Sequence, residues 1–537
     1  MAELIGELKR IIKGEVSDAP EVLAKYSEDA SLFRVRPQAV VYPRDSADLN
    51  ALINQGLALA PRGGGSDMTG GPLTESVVVD LTKHFNRIGE IKGNRITVEP
   101  GFFYRDFEKE TLKHNLLLPS FPASRELCTL GGMVANNAAG EKTLTYGKTN
   151  RYVKSLKVVL RDGNEYQFRP LNQVELAEKF KLKNLEGEIY RQVYKLISDN
   201  YEEIQKARPK VSKNSAGYAL WDVWDKKTFD LTQLFTGSQG TLGIITEIEF
   251  ELVRPKPRSK MLVIFLRNTR SLAEIINRVL QEKPETFESY DDHTLALALK
   301  FLPQFIKLLK GNALSIGWKF LPEFKMILTG GMPKLVLTAE FTGDDLAEIE
   351  TRVRKARAAL EPFGVKTRIT KSAKEVEKYH LIRRESFNLL RHRLRGRQTA
   401  PFIDDIIVRP EKLPEFLPEL EKILGGHGNL IYSMVGHIGD GNFHIIPLMD
   451  LADPKTREII PRLMDEVYRL VLQFEGSLTA EHNDGLLRGP YLKEMYGEKV
   501  YRLFEEIKHI FDPANIFNPG KKVGGSLEYA LDHLKRG

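Results

Sequence analysis

One cysteine, Cys128, is all the thiol chemistry that 537 residues offer. It excludes an intrachain disulfide and any iron–sulfur cluster held by four thiolates of this chain. Long apolar runs are equally scarce: none approaches the roughly 20 residues that would span a bilayer. The first residues, Met1 to Ile12, lack the apolar centre of a signal peptide and read as a short amphipathic helix, acidic early and basic late. Together these absences predict a cytoplasmic chain. With 42% hydrophobic and 28% charged residues, the composition is that of an ordinary globular protein with room for two or three domains. The net charge of +7 and pI near 9.0 are spread along the chain without an RNA-binding signature, so nucleic acid is not an expected partner. The basic character concentrates once, between Lys300 and Lys334. There Lys300, Lys307, Lys310, Lys319 and Lys325 alternate with Phe301, Phe305, Trp318, Phe320 and Phe324, and Glu323 is the sole acid. A lysine-rimmed face on packed helices is the favoured reading; peripheral contact with acidic lipid headgroups is the other.

What is abundant is glycine, in three clusters. Pro37 to Pro43 reads as a short buried strand, Ser46 caps a helix running through Leu57, and Leu59-Ala60-Pro61 leads into Arg62-Gly63-Gly64-Gly65-Ser66-Asp67-Met68-Thr69-Gly70-Gly71. Five glycines in ten residues let backbone N–H groups converge on a pyrophosphate. No Gly-Lys-Ser/Thr follows, which excludes a P-loop. The strand Val77 to Leu81 follows where a dinucleotide fold would open a helix. The second cluster comprises Pro119-Ser120, Thr129-Leu130-Gly131-Gly132-Met133-Val134-Ala135-Asn136-Asn137-Ala138-Ala139-Gly140 and Tyr146-Gly147. Residues this small let a flat ligand lie against backbone. The third is Gly237-Ser238-Gln239-Gly240-Thr241-Leu242-Gly243-Ile244, a glycine turn entering a strand. Singly each could be a tight turn; together, in this order, they are much less easily dismissed as turns.

A metal-like constellation lies later, in Gly436-His437-Ile438-Gly439-Asp440-Gly441-Asn442-Phe443-His444-Ile445. Asp-Gly between alternating apolar residues predicts a two-residue hairpin turn at Asp440-Gly441, which sets His437 directly opposite His444 with Cβ atoms about 5 Å apart. Asn442 then shares their face, while Ile438 and Phe443 turn into the core. Thr479-Ala480-Glu481-His482-Asn483-Asp484-Gly485 can add a carboxylate, Glu481, to make the two-imidazole, one-carboxylate set that leaves positions open for substrate. Metal ligation and ordinary packing histidines both remain open on the residues alone.

The three glycine-rich segments resemble the flavin-binding domain of the vanillyl-alcohol oxidase / p-cresol methylhydroxylase superfamily. The hairpin, Glu481-His482 and Asp512-Pro513-Ala514-Asn515-Ile516-Phe517-Asn518-Pro519-Gly520-Lys521 resemble the C-terminal domain of FAD-linked D-2-hydroxyacid dehydrogenases, which include D-lactate, D-2-hydroxyglutarate and glycolate dehydrogenases. The resemblance runs from about Ile12 to Lys522. It implies an α+β fold: an N-terminal helical segment (1–35), a two-subdomain PCMH-type FAD-binding domain (36–255), an α+β, ferredoxin-like cap or FAD-linked oxidase C-terminal domain (256–522) and a tail (523–537). The boundary between the two large domains falls in Arg254-Pro255-Lys256-Pro257-Arg258. Within the cap, strands are expected at Met261 to Leu266, Leu335 to Phe341 and Thr367 to Thr370, with helices at Leu272 to Gln281 and Asp344 to Leu360.

By the same resemblance, FAD would contact Pro61, Arg62, Gly63, Gly64, Gly65, Ser66, Asp67, Thr69, Gly70 and Gly71 through its pyrophosphate. Pro119, Ser120, Thr129, Gly131, Gly132, Asn136, Asn137, Gly140, Tyr146 and Gly147 would lie near the isoalloxazine, with further contacts at Gly237, Gly240, Gly243, Ile244 and Asn518. Relatives that tether flavin use a His or Cys in the first loop; this loop has neither, which implies non-covalent FAD. His437, His444 and Glu481 would hold a divalent cation, zinc, manganese or iron. Oxidising a 2-hydroxy acid needs a base for the hydroxyl proton, and His482 would supply it. Arg384, in a segment from Tyr379 to Ser386 expected to be helical, would fork onto the substrate carboxylate, with Asn442 fixing the substrate. The family's substrate-contacting lysine has no counterpart in Pro401-Phe402-Ile403-Asp404-Asp405-Ile406-Ile407. Many relatives place glycine where Asn483 stands. Asn483-Asp484-Gly485 resembles the form found in fusions to an iron–sulfur domain, so a separately encoded iron–sulfur or other electron-transfer partner is expected, and a homodimer is admitted. A flavin-dependent transferase like alkyl-dihydroxyacetonephosphate synthase, or an idle flavoprotein subunit, are the alternatives.

Overall fold

The computed structural model describes residues 2–292, 331–372, 374–380, 398–428 and 430–536. They form two compact units. The first takes Met1–Gly140, Gly147–Pro255 and Ser477–Lys535; the second takes Glu141–Tyr146, Lys256–Gly476 and the last two residues. Most of what lies between Lys300 and Lys334 falls outside the described residues, as does Arg384.

The first unit contains two sheets among the described residues. In one, β1 (Glu15–Ser17), β2 (Ala39–Tyr42), β3 (Leu59–Arg62) and β4 (Val77–Asp80) run in the order β1-β2-β4-β3, with β2, β3 and β4 parallel. A parallel sheet is covered on both faces, which is why Val77-Val78-Val79 is buried without alternation. Val77 and Val79 join Ile5 and Leu8 of the N-terminal helix Ala2–Ile11, Ile12 just past its end, and Leu49, Leu52 and Ile53 of helix Ser46–Ile53; Val78 packs on the other side with Leu23 and Tyr26. The cap of helix Ser46–Ile53 is Asp45, whose carboxylate accepts from the Asp48 amide, not Ser46, and the helix stops four residues before Leu57 because Gly56 turns with φ +66°. β3 would be an exposed edge, but residues 516–518 lie alongside it: Leu59 N donates to Ile516 O (2.7 Å) and Asn518 N to Leu59 O (2.9 Å). The second sheet is antiparallel, β5 (Arg95–Val98), β6 (Val153–Val159), β7 (Glu165–Phe168) and β8 (Ile244–Glu251), ordered β5-β8-β6-β7.

Among the described residues the second unit is built on one antiparallel sheet of eight strands: β9 (Arg258–Leu266), β10 (Thr286–Asp291), β11 (Leu335–Gly343), β12 (Lys366–Ile369), β13 (Gln398–Thr399), β14 (Ile406–Ile407), β15 (Tyr432–His437) and β16 (Asn442–Met449). Their order is β12-β9-β11-β10-β15-β16-β13, and β14 also pairs with β16. Helices Leu272–Leu280 and Leu346–Ala358 stand where the sequence places them, within a few residues. The six residues Glu141–Tyr146 fasten to this unit through buried Glu285, which receives Lys142 Nζ, Tyr146 Oη (3.2 Å) and Thr342 Oγ1. Tyr146, expected beside a flavin, thus belongs to the second unit and spends its hydroxyl on Glu285.

Candidate active site

The hairpin of β15 and β16 forms, but not in the expected register. His437 pairs with Asn442 and Val435 with His444, so the two histidines are diagonal neighbours instead of directly opposed. The connection is four residues long: Ile438–Asp440 make a 3₁₀ turn and Gly441 closes it at φ +73°, donating to Ile438 O at 3.1 Å. A two-residue turn would need positive φ at both centres; only Gly441 has it, because β14 lies against the start of β16 and Val408 N bonds Gly441 O (3.1 Å). The shift is two residues, an even number, so every side chain keeps its face. His437, Asn442 and His444 still share one side, the imidazole centroids are 5.4 Å apart with rings at 84°, and Phe443 is buried on the other.

All three polar residues are buried. His437 Nδ1 lies 2.9 Å from Glu288 Oε1, and His444 Nδ1 lies 2.9 Å from Asp404 Oδ1. Asn442 donates to Asp405 Oδ1 (3.2 Å) and Ile406 O (3.1 Å), while its Oδ1 is buried with no hydrogen-bond partner among the described residues. Asp405, held at φ +64°, brings a carboxylate oxygen within 4.8 Å of a His444 ring nitrogen. Two buried imidazoles, the Asp405 carboxylate beside His444 and the orphaned amide oxygen of Asn442 fit a divalent cation better than a packing role, since a buried amide oxygen normally finds a partner.

Glu481 and His482 sit in a loop of the first unit, and the loop is stitched to two of the three glycine-rich segments. Asn136 Nδ2 donates to Glu481 O (3.1 Å); Asn483 Nδ2 donates to Asn136 O (3.2 Å) and Gly237 O (3.0 Å). The first loop joins through Thr69 O, which accepts from Leu486 N at 2.9 Å. Asn483 adopts φ +72°, a left-handed turn that Asn tolerates better than most side chains. Buried Glu481 receives Lys213 Nζ at 3.3 Å, and His482 Nε2 is 4.0 Å from Glu481 Oε1.

The three segments themselves form a cradle. Added Cβ atoms at Gly63 and Gly64 would come within 2.2 Å of Thr129 Oγ1 and 2.0 Å of Leu127 O, so the first loop lies backbone-first against the second segment. Thr129 caps helix Leu130–Asn136 by accepting from Gly132 N. Asp67 organises the loop internally, accepting from Thr69 N (2.7 Å) and Gly71 N (3.0 Å). Arg62 turns its guanidinium away, onto Tyr26 O and Glu28 O. Pro119 and Ser120 are buried, and Ser120 accepts from Thr149. Asn518 bridges first and third segments by donating to Gly71 O (2.9 Å) and Gln239 O (2.7 Å), and its Oδ1 is left buried without a partner among the described residues. A polar, planar ligand lying along these backbones and bonding that oxygen fits the cradle.

Sequence reasoning missed Glu288, Asp404, Asp405 and Lys213. The adjacent acids of Phe402-Ile403-Asp404-Asp405-Ile406-Ile407 were a readable signal, since paired acids inside an apolar run must be partnered when buried. For Glu288 and Lys213 no local signal exists.

The fold is of the p-cresol methylhydroxylase type: the solved structure of p-cresol methylhydroxylase with substrate bound superposes with a TM-score of 0.68 at 15% identity, over 98% of this chain and 97% of that one. Residues 37–169 match the FAD binding domain and residues 255–522 match the FAD linked oxidases, C-terminal domain. The chain belongs to the FAD-linked oxidase family. It is 31% identical over 523 residues to D-2-hydroxyglutarate dehydrogenase of Escherichia coli (strain K12), matching 92% of this chain and 49% of that protein. It is 27% identical to glycolate oxidase subunit GlcD of Bacillus subtilis (strain 168), over 95% of this chain and 93% of the relative. The chain spans about half the length of the D-2-hydroxyglutarate dehydrogenases of Escherichia coli, Pseudomonas putida and Pantoea ananatis that it matches. No helix among the described residues is long and apolar enough to cross a membrane.

Proposed function

We propose that this protein oxidises a D-2-hydroxy acid, such as D-lactate, D-2-hydroxyglutarate or glycolate, to the 2-oxo acid and passes the electrons to a separate acceptor. The observation that carries it is the buried face of the β15–β16 hairpin, with two carboxylate-held imidazoles beside the orphaned oxygen of Asn442. When bound, FAD supplies the two-electron acceptor for the hydride leaving C2, and a divalent ion supplies the polarisation that makes the hydroxyl acidic near neutral pH. FAD is held non-covalently by the three glycine-rich segments and Asn518; His437, His444 and Glu481 are the ligands of the ion, which is zinc, manganese or iron. His482 takes the hydroxyl proton on its ring. Asn442 and Arg384 orient the acid, Arg384 by a pair of parallel hydrogen bonds to the carboxylate. A separate iron–sulfur or other electron-transfer protein takes the electrons onward.

Anaerobic mixing of the FAD-loaded protein with each acid tests this. The flavin absorbance near 450 nm, which for any flavin is about where the oxidised ring absorbs, bleaches with at least one D-2-hydroxy acid. Persistence of the yellow colour with the whole panel refutes the reading.

A further inference from the structure

We infer that Glu288 and Asp404 are positioning residues that set the tautomer and aim of His437 and His444, each carboxylate holding an Nδ1–H so that Nε2 carries the lone pair. The inference rests on the ligand reading above and names the residues that make it work. A neutral imidazole has one N–H; the nitrogen nearest a buried carboxylate keeps it, and the other becomes the acceptor able to bind a cation. Both histidines meet this condition at the same atom and the same distance, 2.9 Å from Nδ1 to a carboxylate oxygen. The two carboxylates reach them from separate elements. Glu288 lies on β10, whose Ser289 pairs with Gly436, the neighbour of His437. Asp404 lies two residues before β14, whose Ile406 pairs with Phe443, the neighbour of His444. Asp404 is fully buried and Glu288 nearly so, at 0% and 2% exposure, so water does not compete for the imidazole protons. Packing alone does not require two unrelated segments to deliver a carboxylate to the same nitrogen of two rings set 84° apart. Carboxylates behind ligating imidazoles raise their basicity and fix their rings, and losing one typically weakens a metal site about 10–100-fold.

The test uses the full-length, FAD-loaded protein stripped of divalent metal. Selective ¹⁵N labelling of histidine, with His437→Gln and His444→Gln to assign the signals, reads the tautomer of each ring in the unsubstituted protein. A proton on Nδ1 of each ring is expected, held by its carboxylate; a ring protonated at Nε2 alone overturns the inference. Titration calorimetry with Mn²⁺ and with Zn²⁺ then compares Glu288→Gln and Asp404→Asn with the parent. Each is expected to bind about 10–100-fold more weakly while retaining FAD. If His437→Gln and His444→Gln bind as the parent does, the ligand reading itself has failed. If those two lose binding but Glu288→Gln and Asp404→Asn keep it within about threefold, well short of the expected drop, the ligand reading stands and the positioning role is refuted. The ¹⁵N measurement on the parent stands even where Glu288→Gln or Asp404→Asn does not fold.

Discussion

Replacing Lys522 by methionine removes one ammonium from the interior of the first unit and leaves its partner stranded. Lys522 and Asp484 are both 0% exposed, with Nζ 2.7 Å from Asp484 Oδ2; Nζ also donates to Ser215 O (3.0 Å), Gly217 O (2.9 Å) and Asn483 Oδ1. Methionine preserves most of the stem's volume, so the loss is electrostatic. Asp484 keeps the Gly217 amide at 2.9 Å but no longer has its cation. Breaking a buried pair from one side costs about 3–5 kcal/mol, because a charge stays behind uncompensated. At about 1.4 kcal/mol per factor of ten, the folded-to-unfolded ratio falls between about a hundredfold and several thousandfold. Urea titration of the FAD-loaded protein, followed by flavin fluorescence, should show a midpoint lowered by roughly 1 M, taking a slope of about 3 kcal/mol/M. Lys522→Met/Asp484→Asn should recover much of the loss, since no charge remains to be solvated. A midpoint within about 0.2 M of the parent, equivalent to under 1 kcal/mol on that slope, or a double variant as unstable as the single, refutes the reasoning. The pair anchors the segment that carries Glu481 and His482, so early flavin release should accompany unfolding.

Three further expectations follow from the same kind of argument. Gly485→Ala puts a Cβ 2.3 Å from Thr69 Oγ1 and 2.4 Å from Thr69 O at φ +54°, so it should cost about 1–3 kcal/mol and weaken FAD retention; an unchanged FAD dissociation constant and urea midpoint count against it. Burial on its own would lower the pKa of His380, but Glu340, 3.0 Å away, outweighs it and lifts the imidazolium to about 9. A folded-state value above the unfolded one near 6.5 means this stability is complete below about pH 6.5 and disappears as pH climbs through 9. The urea midpoint should fall over that window in the parent and less in His380→Gln, and parallel profiles would refute the assignment. Cys128 is 5% exposed and burial pushes its thiol up to about 12, so a disulfide reagent at pH 8 should leave the native protein unlabelled; stoichiometric labelling within minutes would show otherwise.

The parts of the architecture that were legible in the chain are those written in short-range chemistry. Strand Val77–Asp80, helix Leu272–Leu280 and the glycine turn before β8 depend on neighbours within a few residues, and they stand where periodicity and turn residues put them. The hairpin shows the limit. Asp440-Gly441 announced a turn, and alternation kept His437, Asn442 and His444 on one face, but turn length was settled by β14, an element the hairpin's own residues cannot reveal.

Sequence alone determined which residue types were available: glycine clusters without a P-loop lysine, a flavin segment without a tethering His or Cys, and two histidines at a spacing that survives an even register shift. Tertiary structure decided what those residues touch. Glu288 reaches His437 across 149 positions, Asn483 reaches Gly237 across 246, and Asn518 reaches Gly71 across 447. Hydrogen bonds at such separations leave no periodicity and no local propensity behind. They form because burying a polar group without a partner costs more than a kilocalorie or so per mole, about 1–3, and folding satisfies that demand wherever in the chain the partner lies.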